Sequence, residues 1–368
     1  MENKRYKELE NKIQKYLKEG NDVNLLRSLY SQVNLKESEL VDRSEDIKNE
    51  TMFSGLTDKE LLERYEKKFF NRYTNREIKH LFQESHNRYI KESGLEVTRN
   101  VVVKVDSKNP NFMGYVQAGQ DLLFMNKGFI NSSKQVKDDN QLMNEKTIGK
   151  VMLSTLLHET KHNIQYEDAI DFALGNEQEV DRAFSGACMI INNTNFNVAW
   201  EESEKEYERY VAHWRENYDY HVYEQEANYS ANKKMLECYG ERDYSNMKMD
   251  YAQILALNAI DVFRFRPTDD KKEDERLIKE RVQKLEDYTK YQLEYFEKRV
   301  KDCPLKTQIV ETMHNYIDVD EKGNSLLRTR LTNELNEMYD QYENSAEVVR
   351  TYLKAQKKDE EETKGKTM

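Results

Sequence analysis

The stretch that decides how this chain is organised is Leu156-Leu157-His158-Glu159-Thr160-Lys161-His162-Asn163-Ile164-Gln165. It contains the pattern H-E-x-x-H, in which two histidines stand four residues apart. Residues four apart lie on one face of an α-helix, so His158 and His162 can each reach the same cation with an imidazole nitrogen. Glu159 is turned by about 100° around the helix axis, near that cation but badly placed to bind it. The pattern predicts a Zn²⁺ site with His158 and His162 as ligands and Glu159 as the general base acting on a metal-bound water.

The residues around the motif predict that its helix is buried. Leu153, Leu156, Leu157 and Ile164 supply apolar surface on several sides of the helix. Buried histidines need polar partners, and a metal ion is one such partner. An amphipathic helix with two incidental histidines is the alternative interpretation of the same letters.

A hydrolytic zinc site needs a third protein ligand and one open position. No third histidine follows at the spacing H-E-x-x-H-x-x-G-x-x-H, because Gln165 and Asp168 stand where that glycine and histidine would be. A glutamate on a later helix is the natural choice, and two segments of the chain compete. One contains Glu177, and the other contains Glu224 and Glu226.

At this point the chain resembles a known family. H-E-x-x-H followed by Glu224-Gln225-Glu226-Ala227-Asn228 is similar to the gluzincin arrangement of the zincin-like metallopeptidases, including the ImmA/IrrE-type intracellular peptidases. The closing Ile164-Gln165 also resembles H-E-x-x-H-x-I-Q peptidase domains of phage and mobile-element proteins. The resemblance implies that Glu224 is the third ligand, with Glu226 as second choice. It also implies that Asn228, one turn further along the same face, supports a zinc histidine.

Gluzincins often add a histidine or tyrosine that stabilises the oxyanion of the tetrahedral intermediate. Tyr220, His221 and Tyr223 lie just before the proposed third ligand and are the candidates for this role. The chain has 24 tyrosines, so an incidental position is the alternative for each.

The composition predicts long helices. Of 368 residues, 37% are hydrophobic and 35% are charged, with only 3 Pro and 12 Gly to interrupt helices. The expected fold class is α+β, predominantly α: a zincin-like core, with a small β-sheet and the motif helix, flanked by helical regions. The predicted divisions are an N-terminal helical region at 1–94, the metallopeptidase core at 95–240, a C-terminal helical region at 241–355 and a disordered tail at 356–368.

A small sheet is predicted directly before the motif helix. The stretch 95–105 is rich in β-branched residues, and short strands are predicted within 114–120 and 121–126. A sheet edge beside a metal ion can pair with an extended peptide. We predict that 121–126 is that edge and binds a protein or peptide substrate; an ordinary supporting sheet is the alternative.

Charge and cysteine content narrow the classes of partner and compartment. A net charge of −11 argues against a nucleic-acid partner. No apolar stretch of the sequence is long enough to span a membrane, and the charged first residues lead us to expect no signal peptide. Three widely spaced cysteines predict a reduced, cytoplasmic setting. An apolar stripe between Ile278 and Tyr295 predicts packing, either within a helical layer or against a protein partner of the C-terminal helices.

These patterns favour an intracellular zinc metallopeptidase that hydrolyses peptide bonds of a protein substrate. Two alternatives stay open at this stage. One is a helical interaction or regulatory protein in which the zinc site is vestigial or absent. The other is a zinc hydrolase that acts on a non-peptide ester or amide.

Overall fold

A computed structural model of the protein describes residues 4–33, 47–70, 72–105, 113–116, 119, 122–128, 148–176, 179–239 and 270–340. In these residues the chain is mainly helical and contains one three-stranded sheet. This confirms the predicted fold class as predominantly helical α+β. The predicted tail at 356–368 and the candidate ligand Glu177 lie outside the described residues.

The elements follow the chain in this order. Five helices come first: α1 (Lys4–Lys18), α2 (Val23–Val33), α3 (Asp58–Glu63), α4 (Lys67–Phe70) and α5 (Asn75–Glu92). The strands are β1 (Asn100–Lys104), β2 (Gly114–Val116) and β3 (Leu122–Asn126). The remaining helices are α6 (Ile148–Leu174), α7 (Val180–Glu202), α8 (Glu204–Glu216), α9 (Val222–Tyr239), α10 (Lys271–Arg299), α11 (Pro304–Ile317) and α12 (326–340), with a 3₁₀ turn at Tyr218–Tyr220 before α9.

The prediction that 121–126 forms a sheet edge is wrong. The strand order is β1-β3-β2, with β3 parallel to β1 and antiparallel to β2, so β3 is the central strand. All five residues of β3 are buried. A continuous apolar run of this kind is typical of a strand covered on both faces, whereas an edge strand usually carries polar residues. Within the described sheet, the edge that packs against α6 is β2.

Two hydrophobic clusters hold α6 in place. Its first half, including Leu156 and Leu157, packs with β1, β3 and α5. Its second half, including Ile170, belongs to a larger cluster with α1, α2, α7, α10, α11 and α12. The motif helix is therefore fixed along its whole length, as the apolar residues of the sequence predict.

The apolar stripe of the C-terminal region is buried inside this chain. Ile278, Val282, Leu285, Tyr288 and Tyr295 are each 6% exposed or less and pack within the structure. The division into three regions stays a prediction, and the larger cluster takes residues from all three. None of the described helices is long and apolar enough to cross a membrane.

Candidate metal centre

Two helices bring the candidate ligands together. His158 and His162 lie in the middle of α6, on the face turned towards α9. Glu224 stands in the first turn of α9, directly after the 3₁₀ turn. The structure therefore brings all three predicted ligands to one place. Among the described residues they form the one group of three or more His, Cys, Asp or Glu side chains that could hold a metal ion.

The ligand atoms form a nearly equilateral triangle. His158 Nε2 lies 3.1 Å from His162 Nε2. Glu224 Oε2 lies 3.3 Å from His158 Nε2 and 3.4 Å from His162 Nε2. In a tetrahedral zinc site with bonds of about 2.0–2.1 Å, the ligand atoms are about 3.3–3.4 Å apart. The three atoms thus match one face of such a tetrahedron, and the fourth corner is left for water or substrate.

The site is buried and its charges are coupled. His162 is 8% exposed and Glu224 is 7% exposed. Burial alone would lower the pKa of His162, but the Glu224 carboxylate raises it to about 9. Burial would raise the pKa of Glu224, yet His162 and His158 hold it well below its usual range. Glu224 is therefore an ionised carboxylate that faces two imidazoles.

Glu159 lies beside this triangle, next to the edge strand. It is 8% exposed, and a Cβ added at Gly114 of β2 would be 3.2 Å from its Cγ. Burial and the Glu224 charge raise the pKa of Glu159, whereas the two histidines and the Val116 N–H partly offset that rise. The absence of a side chain at Gly114 therefore lets β2 approach the Glu159 side chain closely.

A groove of about 620 Å³ opens onto the site. Its walls come from β2, α6, α7, α8 and the start of α9, and they are rich in aromatic side chains: Tyr115, Tyr166, Trp214, Tyr218 and Tyr223. Glu159, His162 and Glu224 are exposed to this groove. A ligand in the groove can therefore reach Glu159 and two of the three candidate metal ligands, His162 and Glu224.

The three residues predicted as oxyanion donors are engaged elsewhere. His221 Nδ1 lies 2.6 Å from the Tyr223 hydroxyl, and burial lowers the pKa of His221 to about 4. The Tyr223 hydroxyl therefore points to His221, although its ring lines the groove. Tyr220 stacks under Arg281 and Lys284 and does not line the groove.

Tyr218 is the residue that the sequence analysis missed. It lines the groove, and its hydroxyl lies beside Glu224 and near Glu159. Burial of the hydroxyl and the Glu224 charge raise its pKa well above the usual value, so it stays a neutral donor. The only available sequence signal was its place in the turn before Glu224, which Tyr220 shares.

Glu226, the second choice for the third ligand, also has a definite place in the structure. The Glu226 carboxylate points away from the histidines and binds Lys161 Nζ at 3.0 Å. Glu226 is therefore not a ligand in this structure. His162 Nδ1 lies 2.8 Å from Gln165 Oε1. The support of a zinc histidine by Asn228 stays a prediction.

Another buried histidine provides a contrast with the motif pair. His86 is fully buried behind α6, with Nδ1 2.9 Å from Thr160 Oγ1. Burial, with a smaller effect from Arg99, lowers its pKa to about 3. Burial thus disfavours a charged imidazole at His86, whereas the carboxylate of Glu224 raises the pKa of His162 in spite of its burial.

Comparisons of the chain with protein-family models, curated proteins and solved structures found no match. The motif and the geometry of its residues therefore identify this group as a candidate metal centre.

Proposed function

We propose that this protein is a zinc metallopeptidase that hydrolyses peptide bonds of a protein or peptide substrate. The observation that supports this most is the triangle of His158, His162 and Glu224, whose ligand atoms lie 3.1–3.4 Å apart. Two imidazoles and a carboxylate are a common ligand set for catalytic zinc, with the fourth position open.

The residues present fit a zinc ion in charge as well as in distance. Two neutral imidazoles and one carboxylate carry a net charge of about −1, which a divalent cation more than balances. When bound, zinc supplies Lewis acidity, polarising a carbonyl oxygen and lowering the pKa of water to about 7. His158, His162 and Glu224 would hold it.

The side chains around the triangle have separate tasks. Glu159 is buried with a raised pKa, so it can accept a proton from water and return one to the leaving amine. Tyr218 is a neutral hydroxyl donor at the groove, suited to stabilising the oxyanion that forms at the scissile carbonyl. Glu159 is next to His158 in the sequence, and Tyr218 lies in the 3₁₀ turn before Glu224.

The substrate that this groove favours is an extended peptide. β2 lines the groove and is an edge strand of the described sheet, the kind of position at which an extended peptide can add as a further strand. The aromatic walls would bury apolar side chains of that peptide. In this proposal β2 takes the role that the sequence analysis gave to 121–126.

The test combines metal content with hydrolysis. The purified protein should contain or take up about one zinc per chain, and it should cleave members of a peptide library when followed by mass spectrometry. A chelator should abolish cleavage, and added zinc should restore it. Glu159→Gln should keep the metal and lower kcat by roughly 10²–10⁴-fold.

Glu167→Gln is a matched control for that variant. Glu167 is another buried glutamate of α6, but it pairs with Arg5 and does not line the groove. Its replacement should leave kcat unchanged in the folded protein. The proposed function would be contradicted if the purified protein does not bind zinc, or if Glu159→Gln hydrolyses peptides as fast as the wild type.

A further inference from the structure

The Glu226 carboxylate, which is not a ligand, is the centre of a buried polar cluster next to the metal centre. Its Oε1 lies 3.0 Å from Lys161 Nζ and 3.2 Å from a guanidinium nitrogen of Arg330. Its Oε2 accepts hydrogen bonds from Gln165 Nε2 at 2.8 Å and from Ser185 Oγ at 3.1 Å. The side chains of Lys161, Glu226 and Arg330 are 12–17% exposed. Such a cluster is costly to bury unless every member has a partner.

This cluster determines which way the Gln165 amide faces. Gln165 Nε2 lies 2.8 Å from Glu226 Oε2 and 2.9 Å from the backbone carbonyl oxygen of Tyr223. A backbone carbonyl oxygen accepts hydrogen bonds and cannot donate them. The same is true of an ionised carboxylate such as that of Glu226, which lies between two cations. The amide NH₂ group must therefore point to these two oxygens. The other atom, Oε1, then points to His162 Nδ1, which lies 2.8 Å away.

The orientation of Gln165 in turn fixes His162. Because Gln165 Oε1 is an acceptor, His162 Nδ1 has to carry a hydrogen and donate it. The neutral ring then carries its lone pair on Nε2, the nitrogen that faces His158 and Glu224. A metal-binding histidine needs this tautomer and a fixed ring orientation.

We propose that Glu226 and Gln165 form a relay that positions His162 for metal binding, and that Arg330 anchors this relay from the C-terminal helix α12. The inference rests on the proposed function, because it concerns the same metal centre. Gln165, Glu226 and Arg330 are positioning residues, since none of them contacts the site of reaction.

Arg330 links the relay to the C-terminal region of the chain. It lies on α12, far outside the segment that resembles metallopeptidases, and it also binds Glu334 through Nε at 2.7 Å. Glu334 is 6% exposed, and its pairing holds the guanidinium in one orientation. The C-terminal region would therefore contribute to metal affinity without supplying a ligand.

The test measures zinc affinity by competition with a chromophoric chelator, together with the visible spectrum of the cobalt-substituted protein. Gln165→Leu removes the acceptor for His162 Nδ1 and should weaken zinc binding by roughly 10–100-fold, as loss of an outer partner of a metal histidine typically does. It should also shift the cobalt bands, because the ring of His162 is released. Arg330→Gln should weaken binding in the same direction but by less.

Arg328→Gln is the matched control on the same helix. Arg328 also pairs with a buried glutamate, with its Nε 3.0 Å from Glu286, but it has no link to Gln165. Its replacement should lower the melting temperature and leave zinc affinity unchanged. A purely structural role for Arg330 would give the same result in both arginine variants.

An isosteric swap keeps the test usable if Gln165→Leu does not fold. Gln165→Glu keeps an acceptor for His162 but places a second carboxylate against Glu226, so it should weaken zinc binding. Adding Glu226→Gln supplies an amide donor to the new carboxylate and should recover part of the affinity. The relay is overturned if the double variant binds no better than Gln165→Glu, or if wild-type protein binds zinc and Gln165→Leu binds it equally well. Failure of the wild type itself to bind zinc would instead overturn the proposed function, and the relay with it.

Discussion

Two glutamates of α9, only two residues apart, meet opposite surroundings. Glu224 faces imidazole nitrogens of His158 and His162 at 3.3 and 3.4 Å. Glu226 faces the cations of Lys161 and Arg330 at 3.0 and 3.2 Å. Burial would raise the pKa of Glu226, but these two cations lower it to about 2. Two residues along a helix turn a side chain by about 200°, which accounts for the separation.

The difference shows why one carboxylate suits a metal ion and the other does not. The charge of Glu226 is already balanced by the cationic side chains of Lys161 and Arg330. The partners of Glu224 are imidazoles, which can give up a proton and still bind a metal through nitrogen. Only the group formed by Glu224 and the two imidazoles can release a proton and bind a divalent cation in its place.

Neutralising each glutamate in turn should have very different effects on zinc binding and hydrolysis. Glu224→Gln should abolish hydrolysis and weaken zinc binding by more than the roughly 10–100-fold expected when an outer partner is lost. Glu226→Gln should keep a functional metal site, with a loss no greater than that range, because it changes only the positioning of His162. Calorimetric titration with zinc compares the two. Equal losses, or a larger loss in Glu226→Gln, would show that the ligand has been misassigned.

A second prediction concerns the residue that lies beside Glu224 in the groove. Tyr218→Phe should lower kcat by roughly 10²–10³-fold with little change in zinc affinity, because it removes an oxyanion donor and no ligand. Tyr220→Phe is the control from the same turn, since its ring lies under Arg281 and Lys284. Steady-state kinetics with one peptide measures both variants. A loss of activity of the same size in both would indicate a general effect on the turn.

The smallest expected effect is the release of a proton from His162 when zinc binds. In the metal-free protein the pKa of His162 is raised to about 9 from its ordinary 6.5, so the ring is mostly protonated at pH 7.5. Zinc needs the neutral ring, so binding at this pH should release about one proton from His162. Apparent affinity should rise as pH approaches 9 and level off above it. Titration calorimetry in buffers of different ionisation enthalpy counts the protons.

The two carboxylates separate again in this measurement. Glu226→Gln should still release the proton, because Glu224 remains beside His162. Glu224→Gln should lose this release, because the carboxylate that raises the pKa of His162 is gone. Unchanged proton release in Glu224→Gln would mean that another group holds the proton.

The sequence predicted the parts of the site that follow from helical spacing. His158 and His162 meet because four residues make about one turn, and Glu224 and Glu226 diverge for the same reason. The stretch 121–126 was wrongly predicted to be an edge, because it forms the central strand and β2 is an edge. The order of strands in a sheet depends on contacts between distant residues, which local sequence patterns do not encode. Tyr218 depends on how one 3₁₀ turn is oriented. The contact between Glu226 and Arg330 joins residues about a hundred positions apart, and no pattern in the sequence predicts it.

Anomalous diffraction at the zinc absorption edge, from crystals grown with zinc, would locate the metal ion itself. We expect one strong peak about 2.0–2.1 Å from Nε2 of His158, Nε2 of His162 and a carboxylate oxygen of Glu224. No peak at this place, or a peak bound by Glu226 in place of Glu224, would contradict this expectation.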